Sequence, residues 1–223
     1  MKLTALRAGV ALAVMTTLAG TAVAEGEWSG NVALTSDYVW RGVSQSNEDL
    51  AISGGFDYTN DIFYAGTWAS NVDFGDASDT NVELDVYAGL ASEFANGMTW
   101  DVGVIYYAYP DADAEDLDFV ELKGALGYEL EGGLGLGGEV YWDPDNESVY
   151  VAGSAGYSFT DAFAADVSVG NYSFDGGGDY TNWSVGGTYS YGGFDFDLRY
   201  WDTDIDNVDI AEERVVFTIG KSL

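Results

Sequence analysis

Apolar and polar residues alternate through almost the whole of this chain. In residues 80–94, TNVELDVYAGLASEF, the apolar Val82 and Leu84 fall on one parity and the acidic Glu83 and Asp85 on the other. Successive side chains of a β-strand point to opposite faces of the sheet, so a period of two indicates strands with one apolar and one polar face. No stretch shows a convincing helical period. We therefore predict an all-β fold.

The alternating runs number about twelve, and the connections between them differ in length. The even-numbered connections are tight, whereas the odd-numbered ones are longer and acidic, as in residues 110–118, PDADAEDLD. An even number of antiparallel strands with short turns at one end and long loops at the other is typical of membrane-spanning barrels. The pattern predicts a transmembrane antiparallel up-and-down β-barrel of about 12 strands. The predicted strands lie near residues 28–40, 50–59, 62–73, 80–94, 98–109, 117–130, 134–142, 148–159, 163–174, 180–191, 194–202 and 213–223.

Alternation alone does not say which face points inward, and a secreted soluble barrel or sandwich with an apolar interior fits it too. Two features favour the membrane. Small residues and acids are common on the face opposite the apolar one, where Ala65 and Thr67 are expected to line a water-filled interior. Aromatic residues near strand ends on the apolar parity are expected to form girdles at the membrane interface. These aromatic residues are Trp28, Tyr38, Trp40, Trp68, Phe94, Trp100, Trp142, Phe159, Phe163, Trp183, Tyr191 and Phe194.

Residues 1–24 form a predicted export signal. A basic start with Lys2 and Arg7 precedes an apolar run, and Ala24 closes a site of small residues. This is the layout of a secretory signal peptide. The apolar run is shorter than the roughly 20 residues that a membrane-spanning helix needs, which argues against a permanent N-terminal anchor. We expect the barrel to be formed by residues 25–223.

The chain is strongly acidic, with 38 Asp and Glu residues against 7 Lys and Arg residues. Loss of Lys2 and Arg7 with the signal leaves five cations and a net charge of −33, a field that repels nucleic acid. Histidine and cysteine are absent, which removes the usual general base, thiolate metal sites and disulfides. Acids are so common that a carboxylate pair of the glycosidase kind would carry little meaning. We expect no enzymatic activity.

Three stretches resemble the beginning of the TorF-type porins of proteobacteria, a group also catalogued as a bacterial protein family of unassigned role. They are NVALTSDYVWRGVSQS at 31–46, AISGGFDY at 51–58 and FYAGTWASN at 63–71. Residues 214–223, RVVFTIGKSL, resemble the terminal recognition strand of outer-membrane proteins, although Leu223 replaces the typical final aromatic residue. These resemblances imply a channel in the bacterial outer membrane without a firmly assigned substrate. They carry no catalytic residue over to this chain.

Charged residues on the inward parity define a predicted pore lining. A barrel of twelve strands is wider than one of eight, whose interior is filled by its own side chains. If the first strand pairs with the last, Arg41, Arg199 and Arg214 come together on one wall and face the acids of the fourth to seventh strands. Such a transverse field would sort solutes by charge and dipole, and because acids are in excess, the pore should prefer cations or small neutral solutes. The predicted lining comprises Asp37, Arg41, Glu83, Asp85, Asp101, Glu121, Lys123, Glu139, Arg199 and Arg214.

A plainer interpretation is that the arginines neutralise lumenal carboxylates such as Asp37, Asp195 and Asp197 and brace the wall. The function expected from these features is that of an outer-membrane porin-like channel for passive diffusion of small solutes. The alternative is a closed structural or adhesin-type barrel whose acidic loops bind divalent cations. The expected partners are outer-membrane lipid, lipopolysaccharide and small solutes. Homo-oligomers are common among porins, but nothing in the sequence marks a subunit interface.

The acidic loops also contain a spacing that matches a metal site. In residues 202–213, DTDIDNVDIAEE, four carboxylates have the spacing of an EF-hand calcium loop, with Asn207 where glycine is expected. Ca²⁺ is the one cofactor that the sequence indicates, although adaptation to a saline habitat would make the loops equally acidic. The candidate ligands are Asp202, Asp204, Asp206 and Glu213.

Overall fold

The computed structural model describes residues 26–75, 79–110, 112 and 117–223. In this part of the chain, twelve long strands form one closed antiparallel barrel, which confirms the predicted fold class. The barrel strands are β1 Glu27–Thr35, β4 Ala51–Asn60, β5 Phe63–Asn71, β6 Val82–Glu93, β7 Thr99–Ala108, β8 Phe119–Glu129, β9 Leu134–Asp143, β10 Ser148–Ser158, β11 Phe163–Ser173, β12 Asp179–Tyr191, β13 Phe194–Thr203 and β14 Arg214–Ser222. Two short strands, β2 Val39–Trp40 and β3 Val43–Ser44, form a separate hairpin.

Residues 1–24 lie outside the described part of the chain, so the signal peptide stays a prediction. A short 3-10 helix, Asp209–Ala211, follows β13. Among the described residues, no helix has the length and apolar character needed to cross a membrane.

The barrel closes between its first and last strands. Each long strand pairs with its neighbour in the sequence, and β1 pairs antiparallel with β14, with Asn31 opposite Ser222 and Thr35 opposite Thr218. Closure satisfies every strand edge, which the hydrocarbon of a bilayer requires because it offers no hydrogen bonds. Both termini of the barrel and its five tight turns lie at one end, and the longer loops lie at the other.

The barrel exterior is apolar and the interior is polar. Val167 on β11 lies opposite Val185 on β12, and both side chains are exposed on the outer surface. Trp28 packs against Tyr58 near the short-turn end, with ring centroids 5.0 Å apart. An apolar outer band with aromatic residues near its rims is the arrangement of a membrane-spanning barrel. The face that a soluble barrel would bury is here turned outward.

Three of the twelve predicted girdle residues do not face lipid. Tyr38 and Trp40 lie after the end of β1 at Thr35, in a loop that folds into the barrel. Trp68 lies on the inward parity of β5, opposite Asp85, and only 8% of its surface is exposed. The prediction that these three residues face lipid was wrong for two reasons. For Tyr38 and Trp40, the period of two was extended beyond the end of the strand. For Trp68, a large apolar side chain was assumed to contact lipid.

The inward parity of β5 was also predicted wrongly. Ala65 and Thr67 face outward, since Thr67 lies opposite the exposed Val86 on the neighbouring strand. A shift of one residue moves every side chain of a strand to the other face. The inward side chains of β5 are therefore the larger Tyr64 and Trp68, not the small residues between them.

The segment between β1 and β4, residues 36–50, is called loop 1. It contains the β2–β3 hairpin, in which Val39 pairs with Ser44 and Trp40 with Val43. The turn of the hairpin is formed by Arg41 and Gly42, with φ of 50° and 85°. Positive φ at both central residues is the geometry of a type I′ turn, which matches the twist of the flanking strands. Loop 1 thus carries Arg41 at the tip of a tight hairpin.

Candidate functional site

Loop 1 crosses the barrel lumen and binds the opposite wall. The guanidinium of Arg41 donates two hydrogen bonds to the carboxylate of Glu121 on β8, from Nη1 to Oε1 at 2.7 Å and from Nη2 to Oε2 at 2.8 Å. The exposed fractions are 7% for Arg41 and 1% for Glu121. A two-pronged arginine–carboxylate pair combines charge with fixed orientation. It therefore anchors the hairpin tip in one position.

Aromatic rings surround the same guanidinium. Arg41 Cζ lies 4.1 Å from the ring centroid of Trp40, 4.3 Å from that of Tyr150, 4.7 Å from that of Tyr172 and 5.0 Å from that of Tyr141. All four distances lie within the range of cation–π attraction, which is strongest where water is excluded. We call the four wall residues Glu121, Tyr141, Tyr150 and Tyr172 the Arg41 cage.

The charge of Arg41 is secured by its partner. Burial acts to lower the pKa of the guanidinium, but the charge of Glu121 and its hydrogen bonds outweigh burial and raise the pKa above its ordinary value. The backbone carbonyl of Arg41 also accepts a hydrogen bond of 3.2 Å from the hydroxyl of Tyr180 on β12. The far wall therefore holds both the side chain and the backbone of Arg41 at the tip of loop 1.

The base of loop 1 is held by a second charged cluster. The carboxylate of Asp37 accepts hydrogen bonds from the hydroxyls of Ser44 at 2.6 Å and Ser46 at 3.0 Å. Arg214 on β14 donates to the other oxygen of Asp37 at 3.0 Å and lies 3.3 Å from Glu48. Asp37 thus ties the two arms of the loop to each other and to the last strand.

The near side of loop 1 contacts β5 and β6 through Tyr38. Its hydroxyl donates to Glu83 at 2.6 Å, and the hydroxyl of Tyr109 donates to the other oxygen of Glu83 at 2.8 Å. The rings of Tyr38 and Trp68 meet edge to face, with centroids 5.3 Å apart. Asp85 is buried beside them, and its Oδ1 has no hydrogen-bond partner among the described residues. Loop 1 therefore bridges the lumen from β5 and β6 to β8 and β12.

Further ion pairs brace other parts of the wall. Lys123 donates to Asp101 at 2.7 Å, and the hydroxyl of Tyr64 donates to the same carboxylate at 2.8 Å. Arg199 pairs with Asp166 through hydrogen bonds of 2.7 and 2.8 Å, and with Asp197 at 3.2 Å.

Several inward positions in the strand halves nearer the short turns carry small residues. Ala33, Gly103, Gly137 and Gly156 lie on the inward parity of four different strands. Ser154, on the inward parity of β10, is exposed although it faces the interior. Small residues at such positions leave room for side chains of neighbouring strands, as at Gly103, where an added Cβ would lie 2.6 Å from the hydroxyl oxygen of Tyr64.

All ten residues of the predicted lining face the interior, but they are arranged differently from the prediction. Arg41 does not share a wall with Arg199 and Arg214, because loop 1 carries it across the lumen to Glu121. Arg199 pairs with Asp197, and Arg214 pairs with Asp37. Both contacts fit the interpretation in which the arginines neutralise lumenal carboxylates. Whether the ten residues line a conducting pore stays a prediction.

The Arg41 cage was not predicted from the sequence, although one signal for it was available. Tyr141, Tyr150 and Tyr172 lie on the same parity as polar or small inward residues such as Glu139 and Gly170. A large ring on the polar parity of a barrel strand must contact something in the lumen. That contact is the tip of loop 1.

The predicted calcium ligands do not form a cluster. The carboxylate of Asp202 accepts from the backbone nitrogen of Thr203 at 2.8 Å, and that of Asp204 from the backbone nitrogen of Thr181 at 2.7 Å. Nowhere in the described ranges do three or more carboxylates converge as metal ligands. Asp206 and Glu213 have no such arrangement either, so calcium binding at this loop stays a prediction without a geometric site.

The fold is similar to that of several solved outer-membrane proteins. The KdgM porin matches with a TM-score of 0.61 at 8% identity, over 87% of this chain and 97% of that one. The NanC porin matches with a TM-score of 0.58 at 11% identity, over 87% and 98%. The COG4313 outer membrane channel from Pseudomonas putida F1 matches with a TM-score of 0.56 at 14% identity, over 88% and 94%. Identities this low establish a shared fold and no more.

Sequence comparison gives a family. No curated protein matches this chain in sequence. The family model described as "Bacterial protein of unknown function (Gcw_chp)" matches residues 19–223, which include every described strand. The chain therefore belongs to the Gcw_chp family of bacterial proteins of unknown function.

Proposed function

We propose that this protein is an outer-membrane channel for passive diffusion of small solutes, narrowed by loop 1 and selective for cations. The closed barrel with an apolar exterior supports placement in the bacterial outer membrane. The resemblance to TorF-type porins and the fold shared with proteins described as porins or channels support transport. The observation that carries the proposal is loop 1 itself, a single hairpin that crosses the lumen and contacts the opposite wall.

Charge within the lumen supports cation selectivity. In the described interior, Arg41, Lys123, Arg199 and Arg214 are each paired with at least one carboxylate. Several interior acids of the described strands form no ion pair, so the lumen keeps a surplus of negative charge. Rings of acids favour cations in membrane pores. The interior acids without an ion pair include Asp57, Glu139 and Asp195.

A closed structural or adhesin-type barrel is the second candidate. It is favoured by the burial of Tyr38, Arg41, Ser44 and Ser46, which places much of loop 1 out of contact with solvent. In this candidate the acidic loops would bind divalent cations at the lipopolysaccharide surface. A non-enzymatic role fits both candidates, because the chain has no histidine to serve as general base.

Planar-bilayer recordings separate the two candidates. Purified protein that migrates on gels as a heat-modifiable barrel is reconstituted, and its current is measured under a KCl gradient. A channel gives discrete steps with a reversal potential on the cation-selective side. Absence of steps, both from the wild type and from a variant with loop 1 released, would favour the closed barrel. Anion selectivity would contradict the proposed role of the surplus acids.

A further inference from the structure

The Arg41 cage belongs to the barrel wall, not to the loop that occupies it. Glu121 lies on β8, Tyr141 on β9, Tyr150 on β10 and Tyr172 on β11. These four strands are consecutive neighbours in the sheet, joined by continuous pairing. Removal of the loop tip would therefore leave the carboxylate and three rings in place on a rigid surface.

The cage is prepared for a planar cation. Both oxygens of Glu121 receive hydrogen bonds from Arg41, and Oε2 accepts a further one of 3.1 Å from the hydroxyl of Tyr107. Edge-to-face contact of Tyr150 with Tyr172, with centroids 5.9 Å apart, fixes the two rings relative to each other. A fixed carboxylate with ring faces around it matches the flat two-pronged donor of a guanidinium better than the round head of an ammonium ion.

Arg41 occupies this site in a conformation that is costly for a residue with a side chain. Its φ of 50° lies in the left-handed region, which non-glycine residues adopt infrequently. The tip is held by contacts of side chain and carbonyl with the far wall, so its position depends on the cage. An occupant that fills the cage from solution would remove the main contact holding the tip.

We propose that the Arg41 cage is a recognition site for solutes that carry a guanidinium group, with Arg41 as its built-in occupant. A guanidinium solute in the lumen competes with Arg41 for Glu121 and the tyrosine rings, and its binding releases the tip of loop 1. The proposal rests on the proposed channel function for the route by which a solute reaches the cage. Because Arg41 is tethered, its effective concentration at the cage is of the order of millimolar or higher. A solute must compete with this effective concentration in order to displace the Arg41 side chain.

Binding to a variant with an empty cage tests the proposal without any current measurement. The protein is Arg41→Ala in detergent micelles, first shown to be folded by heat-modifiable migration. Saturation-transfer difference NMR is recorded with L-arginine, L-lysine and the neutral isostere L-citrulline. We expect saturable binding of L-arginine, binding of L-lysine weaker by about tenfold, and none of L-citrulline. The wild type should bind L-arginine about tenfold more weakly than the variant, because its cage is occupied.

A double variant, Arg41→Ala with Glu121→Gln, is the matched control and should lose L-arginine binding. The proposal is overturned if Arg41→Ala binds no L-arginine, if L-citrulline binds equally well, or if the double variant retains binding. Should Arg41→Ala fail to fold, Arg41→Gln replaces it in the single and the double variant, and the same outcomes decide. A barrel that binds L-arginine in the cage but carries no current would contradict the channel function and leave the binding site standing.

Discussion

Arg41 and Glu121 lie 80 positions apart in the sequence and are joined across the lumen by hydrogen bonds of 2.7 and 2.8 Å. The pair connects the only described hairpin that is not part of the barrel wall to the wall itself. Removal of one partner from a buried ion pair typically costs about 3–5 kcal/mol, because the other charge is left without compensation. The position of loop 1 therefore depends strongly on this contact.

Glu121→Gln should release the tip of loop 1. Glutamine keeps the size of the side chain but removes its charge, so the buried guanidinium of Arg41 gains more from water than from the cage. Trypsin should then cut after Arg41, which is buried in the wild type, and the unit conductance should rise. Proteolysis followed by mass spectrometry detects the cut, and bilayer recordings detect the conductance.

Asp195→Asn is the matched control for that variant. It also removes one interior carboxylate, but Asp195 bonds to Ser190 and forms no ion pair among the described residues. It should leave both trypsin resistance and step size close to those of the wild type. Equal resistance of Glu121→Gln and the control would show that the ion pair does not hold the loop.

Gly42→Ala should displace the hairpin by steric contact. A Cβ at this position would lie 2.6 Å from Cγ2 of Thr203 and 2.8 Å from Cβ of Asn182, in a backbone conformation with φ of 85°. Gly176→Ala is the control, because its φ is 77° and nothing lies within 4 Å of the added carbon. Both variants incur a backbone cost of about 1 kcal/mol, but only Gly42→Ala should change tryptic cleavage at Arg41. Identical behaviour of the two variants would rule out close packing at the turn.

The cation preference should weaken when surplus lumenal acids are neutralised. The double variant Asp57→Asn with Glu139→Gln removes two interior charges that have no ion pair among the described residues. Its reversal potential in a KCl gradient should move towards zero. Asp161→Asn, in an exposed short turn, removes a charge outside the lumen and should leave the reversal potential nearly unchanged. A larger change in reversal potential from Asp161→Asn than from the double variant would mean that charges outside the lumen set the selectivity.

The orientation of the two barrel faces can be tested with a pair of lysines. Val167→Lys places a charge near the middle of β11 on the apolar exterior and should destabilise the barrel by about 2–4 kcal/mol in a bilayer. Ser154→Lys places it near the middle of β10 on the inward face, where the side chain reaches water and acids, and should cost much less. Urea unfolding in lipid vesicles measures both. A greater loss of unfolding free energy from Ser154→Lys than from Val167→Lys would mean that the two faces are reversed.

The barrel wall could be predicted from the sequence because its pattern is local. Alternation through β6 and β8 places Glu83, Asp85, Glu121 and Lys123 on one side, and the structure places them in the interior. The tight turns fix the neighbour relations of the strands, and these give the closed antiparallel order. Each inference needed only residues close together in the sequence.

The path of loop 1 could not be predicted in the same way. The alternating pattern continues through Tyr38 and Trp40 although the strand ends at Thr35, so the period alone indicates a longer strand. What bends the chain inward is a set of contacts distant in sequence, including Asp37 with Arg214 and Arg41 with Glu121. No local pattern records which lumenal carboxylate an arginine will reach.

Single-channel recording of the wild-type protein beside Glu121→Gln tests the central claim most directly. In a KCl gradient, the wild type should give small discrete steps with a cation-selective reversal potential, and Glu121→Gln should give larger steps of the same selectivity. Heat-modifiable migration of both proteins would show that each barrel is folded. Folded protein without steps in either form, or steps of equal size in both, would contradict a channel narrowed by loop 1.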